Sequence, residues 1–386
     1  MRDELSEIEE YRGQGKVRKQ FQGIKRMRNG FQPRTDLIRN KEGDIVVGRE
    51  EIKQRWIEHF KELLNRPPPQ NQVEEMELDG ELGNVEPLTR EEILDAVKRL
   101  KNNKAAGIDN ISAELIKYGG QPLHDKISDL LMDIWQEETM PGEWDEGIMI
   151  ALHKKEDRTI CGNYRGICIL PVGYKILSYI IYKRLKIYYE NIIGDYQAGF
   201  RQNRSTADQI FILRQVLEKY WEFDKTSYHV FVDFKQAYDS VHRPSLWNIL
   251  KFFQIPSKLI NLIQMCYRNT TCRVRVGGEL TEPFHILGGL KQGCALSTLL
   301  FNLVLEWIMR KTPLTRSPIL IGQLRFDRLG YADDVDLCGE DLLSIEDTYS
   351  HFRRNAECTG LYINTSKTKV MKASRNPDLY GDIQFD

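Results

Sequence analysis

Three aspartates in two separate segments have the types and spacing expected of a metal site. Asp333 and Asp334 are adjacent within residues 329–339, between two short apolar stretches, which predicts a hairpin whose tip presents charge. Asp233 ends the β-rich run 228–233 and precedes a helical pattern, so we expect it at the carboxyl end of a strand. If both segments join one sheet, the carboxylates meet. Magnesium prefers such oxygen ligands together with substrate phosphates, and three aspartates would hold two ions; independently exposed acids at strand ends are the other interpretation.

A second group of residues is cationic. The apolar run 148–152 predicts a strand, which is followed by Lys154 and Lys155 and then by a second strand that contains Arg165. A strand, a basic turn and a strand would hold the three cations on one lobe. Such a pocket suits a polyphosphate, because arginine offers a planar fork and lysine a point charge. Ordinary surface bases are the alternative interpretation.

Two loops have compositions suited to ligand contact. Residues 195–205 form a polar loop with Phe200, Arg201 and Arg204, which would allow stacking on a base and pairing with phosphates of a nucleic-acid strand. A plain loop leading into a helix is the alternative. Residues 288–302 begin with glycines and continue into an apolar helix, so the loop backbone is expected to approach a flat ligand closely.

The elements that must position these residues follow from hydrophobic spacing and from capping signals. Residues 1–40 are a polar, basic lead-in without a defined structural pattern, and residues 66–86 are a proline-containing acidic linker. The predicted elements are a helix at 51–64 with Ile52, Trp56, Phe60 and Leu63 on one face, a helix opened by the capping box 89–92, helices at 122–138 and 172–193, a helix capped by Ser205 or Thr206, and a hairpin at 273–286 that turns near Gly277 and Gly278.

Composition bounds the class of protein. The chain has 386 residues, of which 41% are hydrophobic and 29% charged, with a net charge of −1. It has neither an apolar run long enough to span a bilayer nor a signal peptide, so we expect a soluble intracellular protein with two or three subdomains. The seven cysteines have no paired spacing, which argues against disulfides and zinc. The basic segment 12–39 is either a solvated surface or a phosphate-binding arm, and it contains patterns that could serve in nuclear import.

In their order along the chain, these motifs resemble the reverse transcriptase domain of non-LTR (LINE-type) retrotransposons. The resemblance runs from about residue 50 to about residue 372. The blocks that carry it are Ala-Gly-Ile-Asp at 106–109, Asn-Tyr-Arg-Gly-Ile at 163–167, Gln-Ala-Gly-Phe-Arg at 197–201, the Asp233 block, Lys-Gln-Gly at 291–293, Tyr-Ala-Asp-Asp at 331–334 and Gly-Leu-Tyr-Ile-Asn-Thr-Ser-Lys-Thr-Lys at 360–369.

The resemblance implies a role for each matching residue. Asp233, Asp333 and Asp334 match the catalytic, metal-binding triad, and Tyr238 matches the aromatic gate that selects dNTP over rNTP by excluding a 2′-hydroxyl. The implied nucleotide-binding residues also include Gln292, Gly293, Arg165, either Lys154 or Lys155, and either Lys367 or Lys369. The implied template and primer contacts are Phe200, Arg201, Arg204, Tyr331 and Lys291.

The implied fold is α+β, a right-hand polymerase core of fingers and palm with the thumb missing or truncated. Its expected parts are an N-terminal basic and helical extension with a linker (1–87), fingers (88–204), the first part of the palm (205–242), a connection between fingers and palm (243–287), the second part of the palm (288–375) and the start of a truncated thumb region (376–386). The expected sheet has a split βαβ arrangement.

The resemblance also implies a reaction and its partners. The expected activity is RNA-directed DNA polymerisation with two Mg²⁺ ions, for which Mn²⁺ can substitute, on an RNA template with a DNA primer and dNTP. No membrane is implied, the oligomeric state is not indicated, and the expected location is the nucleus and the cytoplasm. Neither an endonuclease domain nor a complete thumb is expected in this chain, so its processivity should be low.

Two residues depart from the family pattern. Thr298 stands where proline is usual, which should loosen the start of the helix without removing a ligand. Asp336 stands where an apolar or small residue is usual, and we expect its extra negative charge either to weaken the metal geometry or to face solvent.

Two other functions are considered: an inactive remnant that retains only RNA or DNA binding, and an RNA-directed RNA polymerase, for which the aromatic gate at Tyr238 would have no purpose.

Overall fold

The computed structural model describes residues 2–29, 37–75 and 85–376. In these ranges the chain forms thirteen α-helices and thirteen β-strands, so it is a mixed α and β protein as predicted. No helix in them is both long enough and apolar enough to cross a membrane. The helices are α1 (Arg2–Gly13), α2 (Val17–Asn29), α3 (Arg49–Leu64), α4 (Arg90–Lys98), α5 (Ala113–Tyr118), α6 (Gly120–Glu137), α7 (Val172–Ile192), α8 (Thr206–Glu222), α9 (Ala237–Ser240), α10 (Arg243–Phe252), α11 (Ser257–Arg268), α12 (Ala295–Lys311) and α13 (Leu342–Cys358).

The strands form two larger sheets and two small hairpins. They are β1 (Ile38–Arg39), β2 (Ile45–Val46), β3 (Glu146–His153), β4 (Tyr164–Ile169), β5 (Ser227–Val232), β6 (Thr271–Val276), β7 (Glu279–Leu280), β8 (Phe284–His285), β9 (Ile319–Ile321), β10 (Leu324–Phe326), β11 (Arg328–Tyr331), β12 (Asp334–Gly339) and β13 (Lys369–Ala373). Hairpins β1–β2 and β9–β10 stand apart from the larger sheets.

The four-stranded sheet has the order β11-β12-β5-β13, with all neighbours antiparallel. Its register pairs Val232 with Val335 and Val230 with Leu337, and all four of these side chains are buried in the main core. Because side chains alternate across a strand, His229 and Asp233 lie on the opposite face. We call this second face of the sheet the outer face.

The five-stranded sheet is built on β3, which pairs antiparallel with β4 and parallel with β6. Helix α3 packs against this sheet, because Trp56 and Phe60 lie in one buried cluster with Met149 of β3 and Val274 of β6. The apolar spacing of α3 therefore anchors the strand pair β3–β4, and with it the basic turn between these strands.

Helix α12 is the central element of the core. Nearly all of its residues are buried, as expected for a helix that is apolar on every side. It packs against α7, α10 and α13, so it links the helical body to the elements that flank the four-stranded sheet.

Most of the predicted elements are confirmed. Helix α3 buries the four predicted apolar residues, α4 begins with a complete capping box between Thr89 and Glu92, and Ser205 caps α8. These signals are local, since each depends on residues only a few positions apart. The predicted hairpin within 273–286 turns between β6 and β7 at Gly277 and Gly278.

Three segments of the chain need a separate comparison with the sequence-based expectations. The lead-in 1–40 contains helices α1 and α2 and strand β1. Helix α6 begins at Gly120, and Leu123, which was expected on its apolar face, is exposed. Residues 76–84 of the expected linker and residues 377–386 of the expected thumb region lie outside the described residues.

Candidate active site

The three aspartates lie at the same end of the four-stranded sheet. Strand β5 ends at Val232, immediately before Asp233, and it is antiparallel to β12, which begins at Asp334. Tyr331 pairs with Asp334, so that Ala332 and Asp333 form a two-residue turn. Both segments therefore join one sheet, as predicted. Burial and then the charges of Asp333 and Asp233 raise the pKa of Asp334, which is the signature of converging carboxylates.

A cavity of about 690 Å³ opens in front of these residues. Asp233 and Asp333 line it together with Lys154, Arg165 and Lys367. The pKa of Lys154 is lowered first by burial and then by the charges of Arg165 and Lys367, whereas Asp233 and Asp333 act in the opposite direction. The three cations are therefore near one another and near the aspartates, although they come from β3–β4 and from the segment before β13.

The structure distinguishes between the lysines that the sequence left open. Lys154 lines the cavity, whereas Lys155 is exposed and pairs with Glu156 at 3.4 Å. Lys367 also lines the cavity, whereas the Nζ of Lys369 donates to the carbonyl of Ser366 at 3.4 Å. Of these four lysines, Lys154 and Lys367 are thus the ones placed to meet a ligand in the cavity.

Tyr238 contributes an aromatic wall to the cavity. Its ring stacks on Phe301 of α12 with centroids 4.5 Å apart. Burial, followed by the charge of Asp333, raises the pKa of the Tyr238 hydroxyl. This hydroxyl is buried and has no hydrogen-bond partner among the described residues. Tyr238 borders the cavity, so its fixed ring is well placed to contact a bound molecule.

Gln292 is held by a carboxylate that sequence reasoning missed. Its Nε2 donates to both carboxylate oxygens of Asp239, each at 2.8 Å. Burial raises the pKa of Asp239 to about 7, while the Gln292 hydrogen bond and the charges of Arg66, Arg165 and Lys154 act in the opposite direction. Because the amide nitrogen of Gln292 faces Asp239, the amide oxygen of Gln292 is left to accept from other groups.

Arg66 was also missed, because it lies in the segment interpreted as a linker. Its guanidinium donates to Ser240 Oγ at 2.9 Å and to Gln236 Oε1, and it lines the cavity. Its charge lowers the pKa of Asp239. The only sequence signal for this residue is a basic side chain two positions after the end of the amphipathic helix α3.

The glycines of the loop before α12 lie close to the backbone of neighbouring elements. A Cβ at Gly289 would lie 2.8 Å from the carbonyl oxygen of Asp239, and one at Gly293 would lie 2.5 Å from that of Cys168. Both glycines also have positive φ, +70° and +128°. The Cys168 amide donates to the Gln292 carbonyl at 2.7 Å. The loop is therefore wedged against α9 and β4 at these positions, and its close approach to a flat ligand stays a prediction. Gly293 nonetheless borders the cavity.

Two residues that were predicted to contact the template form hydrogen bonds within the protein instead. The Nζ of Lys291 is buried, donates to the carbonyl of Cys266 at 2.8 Å and lies 4.3 Å from the centroid of the Tyr174 ring. The guanidinium of Arg201 donates to the carbonyls of Gly194 and Gln197. With both cations committed to the protein interior, the expectation that these side chains reach a template is wrong for this structure.

The other predicted template contacts remain accessible. Phe200 is 47% exposed, lines the cavity and has a φ of +60°. Arg204 is partly exposed and pairs with Asp195 at 3.2 Å. Tyr331 is half-buried at the end of β11. Phe200 and Tyr331 flank the aspartates, and Arg204 lies further along the same loop as Phe200.

Asp336 does not behave as expected. It is buried on the outer face, where its Oδ2 lies 2.9 Å from Nδ1 of His229. The ligand atoms of His229, Asp336 and Cys338 all lie within 4.8 Å of one another, a cluster that the spacing did not predict. Both ring nitrogens of His229 are already engaged, the second by Ser227 at 3.3 Å. Asp336 therefore neither faces solvent nor joins the charge at the cavity.

Thr298 is accommodated without disturbing the helix. Its Oγ1 donates to the carbonyl of Ala295 at 2.7 Å, and α12 begins at Ala295. The threonine therefore binds the first turn of the helix through its side chain, and it borders the cavity.

Comparison with known proteins gives the same picture over most of the chain. The sequence profile of the reverse transcriptase (RNA-dependent DNA polymerase) family matches residues 152–381. The chain is 25% identical over 303 residues to the transposon TX1 uncharacterized 149 kDa protein of Xenopus laevis, covering 78% of this chain and 23% of that protein.

Two insect proteins are similar to the same degree. The Retrovirus-related Pol polyprotein from type-1 retrotransposable element R2 of Popillia japonica is 27% identical over 286 residues, covering 73% of this chain and 39% of that protein. The probable RNA-directed DNA polymerase from transposon X-element of Drosophila melanogaster is 27% identical over 289 residues, covering 71% and 30%. The chain thus spans well under half the length of these three relatives, all of which come from transposable elements. The resemblance to reverse transcriptases of non-LTR retrotransposons is confirmed, and the chain belongs to the reverse transcriptase family.

Proposed function

We propose that the chain is the RNA-directed DNA polymerase domain of a non-LTR retrotransposon, which adds nucleotides from dNTP to the 3′-hydroxyl of a DNA primer on an RNA template. One observation carries this proposal. Asp233 and Asp333 line one cavity together with Lys154, Arg165 and Lys367, with Asp334 beside them. Nucleotidyl transfer needs this combination, because a nucleophile and a polyphosphate must be held side by side while negative charge is neutralised.

The carboxylates fit a pair of divalent cations. They are hard oxygen donors, and their mutual repulsion already raises the pKa of Asp334 after the effect of burial, so a cation between them would relieve an unfavourable charge cluster. Asp233, Asp333 and Asp334 would hold the ions. When bound, two Mg²⁺ ions, or Mn²⁺ in their place, would lower the pKa of the primer hydroxyl and stabilise the departing pyrophosphate.

The remaining side chains bind and orient the nucleotide. Arg165 offers a planar fork to the phosphates, and Lys154 and Lys367 add point charges. The Tyr238 ring, which stacks on Phe301, would lie beneath the sugar and exclude a 2′-hydroxyl. Gln292 lines the cavity with its amide nitrogen bonded to Asp239, and its amide oxygen would accept from the nucleotide.

The proposed division of the fold follows these roles. The β3–β4 pair with its cations belongs to the fingers (88–204), and the four-stranded sheet belongs to a split palm (205–242 and 288–375), with residues 243–287 as the connection. RNA template and DNA primer would pass the side of the cavity that carries Phe200, Tyr331 and, further out, Arg204. As in the family, we propose activity in the nucleus and the cytoplasm.

Primer extension tests this function. The wild-type chain is incubated with an RNA template, an annealed DNA primer and Mg²⁺, and supplied with either dNTP or rNTP. Extension with dNTP is expected, and Tyr238→Ala should admit rNTP as well. Asp129→Asn, which changes an exposed acid on α6, is the matched control for charge loss and should extend like the wild type.

Each other outcome contradicts the proposal in a different way. Extension with rNTP but not dNTP by the wild type would indicate an RNA polymerase. RNA binding without any extension would indicate the inactive remnant. Undiminished extension by Asp333→Ala would refute the assignment of the aspartates.

A further inference from the structure

The turn that carries Asp333 has an unusual backbone. Ala332 is the first residue of the two-residue turn between β11 and β12, and its φ is +56°. A residue with a Cβ adopts this left-handed conformation at an energetic cost and keeps it only where the surroundings impose it. Ala332 is also buried, so its peptide groups need partners within the protein.

One side chain supplies both of those partners. Gln197 is 1% exposed, and its Oε1 accepts from the amide of Ala332 at 2.8 Å while its Nε2 donates to the carbonyl of Ala332 at 3.1 Å. The same Oε1 accepts from the amide of Gly199 at 2.7 Å. Glutamate lacks the donor and methionine lacks both groups, so at this side-chain length only an amide fits the two bonds.

The backbone around Gln197 fits the turn just as closely. The Ala198 amide donates to the carbonyl of Gly330 at 2.9 Å, and the Gly330 amide donates to the carbonyl of Tyr196 at 2.9 Å. A Cβ at Gly199 would lie 2.1 Å from the amide nitrogen of Ala332. The loop therefore lies directly against the turn, and only glycine at position 199 allows this contact.

Helix α12 holds the loop in turn. Asn302 Nδ2 donates to the carbonyl of Gly199 at 3.0 Å, and Glu306 Oε2 accepts from the hydroxyl of Tyr196 at 2.9 Å and from the amide of Gly194 at 3.1 Å. Asn302 and Glu306 lie four residues apart on one face of α12. A rigid, buried helix thus fixes the loop, and the loop fixes the turn.

We propose that Gln197 is a positioning residue for the metal site: it holds the Ala332 peptide so that Asp333 and Asp334 face Asp233. This inference rests on the proposed function, since it assumes that these aspartates bind metal. Loss of the Gln197 side-chain amide keeps all three carboxylates but should let the turn relax, so that metal binding weakens. Lys154, Arg165, Lys367 and Tyr238 should be unchanged.

The test measures metal binding directly and does not depend on catalysis. Binding of Mn²⁺ is followed by the loss of the free-ion electron paramagnetic resonance signal in wild type, Gln197→Glu, Gln197→Met and Asp333→Asn. We expect both Gln197 variants to bind Mn²⁺ about 10-fold more weakly, as for other residues that orient metal ligands without touching the ion. At saturating Mn²⁺ their KM for dNTP should stay at the wild-type value, whereas a general loss of structure would raise it.

Gln209→Glu is the matched control. Gln209 Nε2 donates to the carbonyl of Tyr196 at 3.2 Å, on the same loop, and Gln209 contributes none of the bonds that hold Ala332. This variant should bind Mn²⁺ like the wild type.

The outcomes separate this inference from the proposed function. Equal Mn²⁺ binding by wild type and Asp333→Asn would refute the metal site itself. Weak binding by Asp333→Asn but wild-type binding by folded Gln197 variants would refute only the role of Gln197. Should those variants fail to fold, hydrogen exchange in the wild type decides between the outcomes. An Ala332 amide that exchanges as slowly as the β12 amides supports the role of Gln197. An Ala332 amide that exchanges as fast as in an open turn refutes that role.

Discussion

The two ends of the outer face differ in what covers them, although both carry an acid from the same strand. At the open end, Asp334 begins β12 beside Asp233 and the cavity. Two residues further along the strand, on the same face, Asp336 is buried against His229. At this covered end, Val216 and Tyr220 of α8 and Ile319 of β9 pack around Cys338. The surroundings, and not the residue type or the strand, decide whether a carboxylate is available for chemistry.

The two ends also resolve their electrostatics differently. The covered carboxylate has one hydrogen-bond partner, His229, and its other oxygen is buried without a partner among the described residues. The open carboxylates repel one another, and no protein cation is bonded to them among the described contacts. An arrangement that is locally unfavourable and solvent-accessible is characteristic of a functional site. The predictions below separate a chemical role at the open end from a structural role at the covered end.

The largest effect should come from the open end. Asp333→Asn keeps the shape of the turn but removes one ligand charge, so primer extension with Mg²⁺ should fall on the order of 10³-fold or more. The midpoint of thermal unfolding should not decrease, because the substitution reduces repulsion in the folded state. Extension rates and thermal unfolding of the same preparation check both statements, with Asp129→Asn as the control. If Asp333→Asn lost activity only because it unfolds, the open end would have a structural role like that of the covered end, and the proposed difference between them would be refuted.

The covered end should show the reverse pattern. Asp336→Ala leaves a ring nitrogen of His229 buried without its partner and should lower the free energy of unfolding by about 1–3 kcal/mol, while each folded molecule keeps its extension rate. Replacing both members, as His229→Leu with Asp336→Leu, should recover most of that loss because no polar group is then stranded. Urea unfolding of the two variants and the wild type measures this. Equal losses in the single and double variants would show that the pair is not coupled.

These contrasts also mark what the sequence could predict. The spacing of apolar residues in α3, the capping box of α4 and the strand that ends before Asp233 depend on neighbouring residues, and each was predicted correctly. The meeting of Asp233 with Asp333 could be predicted as well, because a strand end and a hairpin tip have few ways to join one sheet.

What failed depends on residues far away in the chain. Asp336 was misjudged because its cover comes from α8 and β9, which the strand pattern cannot reveal. Arg66 was missed because its partners Ser240 and Gln236 lie 174 and 170 positions away. Lys291 and Arg201 were assigned to a template because a lone cation has no local signal that tells a buried carbonyl contact from a phosphate contact.

Metal binding should stabilise the protein through the open end alone. Mn²⁺ at 100 times its dissociation constant should raise the free energy of unfolding by about 2.7 kcal/mol, and EDTA should reverse the effect. The increase should vanish in Asp333→Asn and persist in the double variant of His229 and Asp336, because the ring nitrogens of His229 are engaged by protein groups. Thermal unfolding with and without Mn²⁺ measures it. Loss of stabilisation in the double variant would instead assign a metal site to the covered end.

The smallest expected effect concerns Asp239, on the nucleotide side of the cavity. The test is whether this buried acid titrates near neutrality. Burial raises the pKa of Asp239 from 3.8 to about 7, so between these values the folded protein keeps a proton that the unfolded chain has released. Stability must then fall as pH rises through this window and level off above it. The nearby charges are those of Arg66, Arg165 and Lys154, with the amide of Gln292 in contact.

Asp239→Asn should remove this contribution while keeping an acceptor for Gln292. Urea unfolding of wild type and variant at pH 5 and pH 8 gives the result as a difference, in which every other titrating group cancels. The stability of the wild type relative to the variant should be lower at pH 8 than at pH 5. A difference that does not change with pH would mean that Arg66 and Gln292 keep Asp239 ionised throughout, and the cavity would then contain a permanent negative charge beside the nucleotide.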